Sequence, residues 1–182
     1  MPRFVALFRG INVGKAKRIA MADLRALLTS MGYDNVQTLL NSGNVVFNSS
    51  GTDSHQHAAR IQTAVAESLG VDSLVVVRSA RDMAHVVADN PLAGQALDPS
   101  RLLVVLTKDE NTLAALATLG LTDWGDEQLH TAQHAAYVWC AEGILKSKVA
   151  VALMKGLADN GTMRNWATIE KIHRMLQSPD AL

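Results

Sequence analysis

Phe4 to Phe8 is apolar without a break. An unbroken apolar run of strand length, in place of alternation, predicts a strand buried on both faces. Met21, Leu24, Leu27, Leu28 and Met31 then recur at helical spacing, and Gly32 stops that helix. Val36 to Leu40 and Val45 to Phe47 read as strands. The Asn41-Ser42-Gly43-Asn44 turn between them predicts an antiparallel hairpin. A helix follows from about Ser54 to Leu69, with Ala58, Ile61, Val65 and Leu69 on one face and Gly70 at its end. Leu74 to Val77 is a fourth strand. The order β-α-β-β-α-β is that of the ferredoxin-like, split βαβ unit. In that arrangement the first and third strands are antiparallel neighbours.

After a short helix over Ser79–Ala88 the pattern breaks at Asn90-Pro91-Leu92-Ala93-Gly94-Gln95 and again at Asp98-Pro99-Ser100. Such turn residues mark a domain boundary. The second half restarts with an apolar strand over Leu102–Leu106 and a helix over about Asn111–Leu119. A hairpin of Gln128–Thr131 with Ala136–Cys140 comes next, then a helix over about Ser147–Ala158. In place of a final strand the pattern predicts another helix, Trp166–Leu176. The expected fold class is therefore α+β. It consists of two ferredoxin-like (alpha-beta plait) units packed together, residues 1–93 and 94–182, the second modified by an extra C-terminal helix. Fully apolar strands further predict that the sheet face away from the helices is covered as well.

Composition narrows the setting. Apolar residues make up 48% and charged residues 19% of the 182 positions, as in an ordinary globular protein. No run of about 18 apolar residues is present, so no membrane span is expected. Residues 1–8 are too short an apolar stretch for a signal peptide. Cys140 is the single cysteine, which fits a reducing, cytoplasmic location and a buried thiol acting as a small hydrophobe. The formal net charge is zero, yet residues 1–20 hold Arg3, Arg9, Lys15, Lys17 and Arg18 and no acid.

The candidate chemistry gathers at two loops. Antiparallel pairing of the first and third strands brings Arg9, Gly10 and Asn12 towards Ser42, Gly43 and Asn44. A guanidinium, two amides, a hydroxyl and two glycines suit a phosphate or carboxylate. The competing reading is that the polar side chains bond loop backbone. Gly10-Ile11-Asn12-Val13-Gly14-Lys15-Ala16 is not a P-loop: three residues separate the glycines where four are needed, and Ala16 replaces the Mg²⁺-binding hydroxyl. Near the C-terminus, Thr162 or Asn165 caps the last helix and Arg164 stands beside that helix start. Arg164 and Asn165 join the Arg9 loops if the last helix docks there. Ser147-Lys148 opens a helix as a cap. His55 and His57, and His130 and His134, lack metal-site spacing and read as surface polar residues. Aromatic residues at 4% argue against an RNA-stacking sheet.

The chain resembles, from end to end, the bacterial family known as domain of unknown function 1697 (DUF1697). The resemblance is carried by Ala6-Leu7-Phe8-Arg9-Gly10-Ile11-Asn12-Val13-Gly14, Met21-Ala22-Asp23-Leu24 and Ser42-Gly43-Asn44-Val45-Val46-Phe47. Asn90-Pro91, Ser147-Lys148 and Thr162-Met163-Arg164-Asn165-Trp166 also match. Lys15 and Leu92 depart from the usual pattern, where a glycine and an aromatic stand. The resemblance implies two alpha-beta plaits and no particular reaction. The leading expectation is binding of an anionic small molecule or nucleotide at the loops after the first strand and before the third. The alternatives are a hydrolase or transferase acting on a phosphorylated substrate, or a nucleic-acid or protein interaction module. Catalytic residues, cofactors and oligomeric state are not legible, and whether the chain is an enzyme stays open.

Overall fold

The computed structural model describes residues 1–94 and 98–178. Two compact units make up the chain: Met1–Met83 together with the segment from Ile172, and Ala84–Lys171. The first contains β1 (Arg3–Phe8), α1 (Met21–Ser30), β2 (Asp34–Leu39), β3 (Asn44–Asn48), α2 (Ser54–Leu69) and β4 (Val75–Ser79). Helix α3 (Ala80–Ala88) begins in this unit and ends in the second. The sheet order is β2-β3-β1-β4 and each pair is antiparallel.

Phe4, Ala6 and Phe8 of β1 pack with Val45, Phe47, Leu24, Leu28, Ile61 and Val65. Val5 and Leu7 alternate with them onto the opposite face and are also fully buried. This is the two-sided burial that the unbroken apolar run predicts. Each such side chain contributes roughly 1.5–3 kcal/mol by leaving water. Leu24 and Leu28, one turn apart on α1, supply that helix's buried stripe.

His57 corrects a sequence expectation. Its polar surroundings near the start of α2 suggest a surface residue, yet it is buried among the rings of Phe4, Tyr33 and Phe47. Its Nε2 lies 3.2 Å from the Gly51 carbonyl and its Nδ1 lies 3.0 Å from the Tyr33 hydroxyl. A carbonyl accepts, so Nε2 carries the proton and Nδ1 accepts from Tyr33. With both nitrogens satisfied, the neutral ring can be buried.

The second unit contains β5 (Leu102–Thr107), α4 (Glu110–Leu116), β6 (Gln128–Thr131), β7 (Ala136–Trp139), α5 (Lys148–Leu157) and β8 (Gly161–Asn165). Helix α6 (Trp166–Gln177) starts there and ends in the first unit. Short 3₁₀ turns occupy Ala117–Leu121 and Ile144–Lys146. The sheet order is β6-β7-β5-β8, again antiparallel throughout. Leu103 and Val105 face a core with Leu113, Leu116, Val149 and Leu153. Leu102, Val104 and Leu106 are buried on the other face. The described residues thus form an α+β structure with two four-stranded antiparallel sheets and six α-helices.

Strand β8 is a second correction, because the pattern places a helix where a strand precedes it. Gly161-Thr162-Met163-Arg164-Asn165 has no apolar run and no clear alternation. It becomes a strand by pairing along buried β5, from Thr107 opposite Gly161 to Leu103 opposite Asn165. A Cβ on Gly161 would lie 2.9 Å from the Leu106 carbonyl oxygen and 2.6 Å from Leu157 Cδ2. Only glycine lets the strands approach there. The extra C-terminal helix is present as α6, with Asn165 Oδ1 accepting from Thr168 N at 2.9 Å.

The chain divides after Met83, inside α3, whereas the turn residues suggest a division between Asn90 and Ser100. Turn chemistry marks where the backbone bends, and compact units are set by long-range contact. Residues 95–97 of the expected break lie outside the described residues.

Candidate functional site

The two loops singled out by sequence do meet. Leu7 pairs with Asn44 across β1 and β3, and the Phe8 amide donates to the Gly43 carbonyl at 2.9 Å. Gly43 sits at φ +80°, and a Cβ there would lie 2.6 Å from Ile11 Cδ1 and 2.7 Å from Phe8 Cβ. Both conformation and space therefore require glycine.

Much of the polar capacity at the junction builds the loops. Asn12, at φ +56°, donates from Nδ2 to the carbonyls of Ile19 at 2.9 Å and Asn41 at 2.8 Å. Its Oδ1 accepts from Ile19 N at 2.9 Å, and its own amide donates to Lys17 O at 3.0 Å. Asn12 thus closes the segment 12–19 and ties it to the 41–43 turn. Asparagine is among the few side chains that tolerate this left-handed conformation. Asn44, fully buried, donates to the Leu39 carbonyl at 2.8 Å and to Ser42 Oγ at 3.1 Å. Arg9 is half-buried and its main chain is fixed: its amide donates to Leu74 O, and its carbonyl accepts from Ser73 Oγ. Gly10 is exposed at the start of the loop.

Beside this junction opens a cleft of about 330 Å³, lined by Asn12, Arg18, Ile19, Ala20, Met21 and Asn41. It lies at the N-terminus of α1. Lys15, Lys17 and Arg18 are exposed along the same loop, and Asp23 in the first helical turn partly offsets their charge. Ala20 occupies the cap position and offers no side-chain acceptor. Every other described α-helix has one at its start. Asp53 accepts from His55 N and Gln56 N on α2, and Ser79 Oγ accepts from Asp82 N on α3. Asp109 serves α4, Ser147 serves α5 and Asn165 serves α6. Helix N-termini carry a partial positive charge and N–H groups that lack intrahelical partners. At α1 these groups adjoin the cleft, together with a guanidinium.

Arg164 and Asn165 belong to the second unit and are described there. Arg164 is buried on β8, donating from Nη1 to Thr162 Oγ1 at 2.8 Å and to the Met163 carbonyl at 2.9 Å. Burial pulls its pKa down to about 10. Asn165 is the cap of α6, as the sequence suggests. Ser147 is likewise a cap, and Glu127 reinforces it. The Glu127 carboxylate accepts from Ser147 Oγ at 2.7 Å and from the amides of Lys148 and Val149 at 3.1 Å each. The neighbouring thiol of Cys140 is buried, as expected. Burial pushes its pKa up, a hydrogen bond with Ser147 works against that, and the Glu127 charge adds to it.

Arg18, Ala20 and Asn41 are the cleft residues that motif reasoning passes over. The signal was present in Arg18-Ile19-Ala20-Met21, a helix start with no Ser, Thr, Asp or Asn before its first residue. Among the described residues, no group of three His, Cys, Asp or Glu side chains is placed to hold a metal ion. Nor is any helix long and apolar enough to cross a membrane.

Comparison with known proteins places these features in context. The family described as "Protein of unknown function (DUF1697)" matches residues 1–137. A solved structure of a conserved bacterial protein from Streptococcus pneumoniae is similar at 28% identity and a TM-score of 0.80. The match covers 97% of this chain and 99% of that one. No curated protein matches the chain.

Proposed function

The chain belongs to the DUF1697 family, and from that premise we propose that it binds a small phosphate- or carboxylate-bearing molecule in the cleft before α1. The observation that carries this reading is the start of α1: it alone among the six described α-helices lacks a side-chain cap, and it adjoins a cleft bearing Arg18. An anion there meets helix N–H groups, the positive end of the helix and a guanidinium that can fork two hydrogen bonds. Asn12 holds the wall of the cleft through its backbone hydrogen bonds, and the lining side chains of Arg18 and Asn41 supply charge and hydrogen bonding rather than a proton-transfer group at neutral pH, which favours binding over hydrolysis. Arg9 enters the proposal as a further cation of the loop 9–18, beside Lys15, Lys17 and Arg18. We further read each unit as one alpha-beta plait, supported by strand orders β2-β3-β1-β4 and β6-β7-β5-β8 with antiparallel neighbours. The single buried thiol supports a cytoplasmic setting.

Melting temperature in the presence of phosphate, pyrophosphate, short carboxylates and nucleoside mono- and diphosphates tests the proposal. A ligand at 100 times its Kd adds about 2.7 kcal/mol of stability. Arg18→Ala is expected to cost about 1.5–3 kcal/mol of binding, the worth of a charged hydrogen bond. Ala20→Asp places a carboxylate at the helix start. It is expected to raise stability by about 0.5–2 kcal/mol and to abolish the ligand-induced shift. Arg9→Ala separates the two roles of that residue: affinity falls if it touches the ligand, and only melting temperature falls if it is structural. If none of these anions shifts the wild-type protein, or if Ala20→Asp leaves the shift intact, the proposal is wrong.

A further inference from the structure

His85 on α3 and Asp89, one turn later and just past the end of that helix, stand on the same side of it. Asp89 continues the helical turn, with its amide donating to the His85 carbonyl at 2.8 Å. His134 lies in the turn between β6 and β7, which is closed by Ala132 N donating to Ala135 O at 2.9 Å. The two imidazoles stack at 4.8 Å between centroids with planes 9° apart. His134 Nδ1 lies 3.4 Å from Asp89 Oδ2. A second tie joins the same elements: the Tyr137 hydroxyl of β7 donates to the Val86 carbonyl at 2.7 Å.

We infer that the His85–His134–Asp89 cluster is an acid-sensitive latch that holds the β6–β7 turn to α3. Among the described residues the charged group beside the rings is Asp89 from α3, and Tyr137 from β7, bonded to the Val86 carbonyl, is the other titratable group that ties these elements. Burial first, and the Asp89 charge second, keep the Tyr137 phenol protonated well above its ordinary range. Its hydrogen bond is therefore constant while the imidazoles titrate. Imidazoles ordinarily take up protons near pH 6.5. The first proton is accommodated, because an imidazolium beside Asp89 gains a charge partner and keeps a neutral ring to stack on. The second is not, because two like charges then face each other with one carboxylate between them. Proton uptake at the second ring therefore favours the separated state, and attachment weakens as pH falls. Stacked rings also hold their in-plane nitrogen lone pairs in two separate, nearly parallel planes, so this pair is arranged for stacking and not for gripping one metal ion.

The test is an NMR titration of the full chain from pH 7.5 to 5, following the His85 and His134 ring protons and the Ala132 amide. The ring-proton signals report proton uptake by the pair, and the exchange protection factor of Ala132 is expected to fall about tenfold or more between pH 7.5 and 5. His85→Phe keeps a ring in the stack and removes one charge, so protection should persist to pH 5. Asp89→Asn removes the charge partner, so protection should be lost at higher pH. Equal wild-type protection at pH 7.5 and 5 overturns the inference, as does identical acid loss in His85→Phe. If His85→Phe does not fold at pH 7.5, Asp89→Asn decides: an unchanged midpoint overturns the latch and a raised one supports it.

Discussion

The connections from β1 to α1 and from β5 to α4 occupy the same place in the two sheets, each leading from a central strand into the first helix. In the first unit the connection is residues 9–20, braced by Asn12 and ending in an uncapped helix beside a cleft. In the second it is Lys108 and Asp109, with Asp109 Oδ1 accepting from Thr112 N at 2.7 Å. The second unit repeats that closure at α5, where Ser147 and Glu127 together take up the first amides. One unit leaves a helix start available and fills the space around it with cations. The other neutralises the starts of α4 and α5 with its own carboxylates. A shared strand order therefore does not imply a shared role, because function rests on loops positioned by the scaffold.

The largest expected effect breaks the long connection. Gly43→Ala sets a methyl group against Ile11 and Phe8 at a positive φ, so it should cost about 2–4 kcal/mol in urea denaturation through strain and overpacking. It should also separate the 41–43 turn from Asn12 and reduce anion-induced stabilisation. Unchanged stability would mean that the two loops are not held together as described.

A smaller effect tests the filled helix start. Glu127→Ala removes the carboxylate from Ser147, Lys148 and Val149 and should cost about 1.5–3 kcal/mol, the range for charged hydrogen bonds. Sulfate should then stabilise this variant more than the wild type, since the vacated amides resemble those of α1. If sulfate acts equally on both proteins, Glu127 is not the internal counterpart of an anion ligand.

The smallest effect is a pH dependence at α4. Asp109 is held below its ordinary carboxylate range first by the Thr112 amide, then by the Thr112 hydroxyl, with Lys108 a minor aid. Because its folded pKa is depressed, the stabilisation is complete above the unfolded value, about 3.9. It is lost as pH falls from there through the folded value. The stability difference between wild type and Asp109→Asn should therefore shrink when denaturation is measured at pH 2.5 instead of 6. A constant difference would show that the cap does not depend on charge. Uncapped α1 offers no equivalent titration, which sharpens the contrast between the two connections.

The sequence by itself determined the order of most elements and the two-sided burial of β1 and β5. It also determined that the loop after β1 lies beside the turn before β3, where Phe8, Ile11 and Asn12 meet Asn41 and Gly43. These follow from local causes: unbroken apolar runs, helical spacing, and turn residues whose backbone preferences act over a few positions. Tertiary structure decided the rest. His57 became a core residue because Tyr33 and Gly51 could satisfy both its nitrogens. Gly161–Asn165 became a strand because β5, more than fifty residues earlier, presented an edge for pairing. Asn12 and Asn44 were spent on loop carbonyls, while the helix start nearby was left uncapped. A hydrogen-bonding side chain reads the same in sequence whether it faces a ligand or a backbone. Only the fold determines which partner lies within about 3 Å.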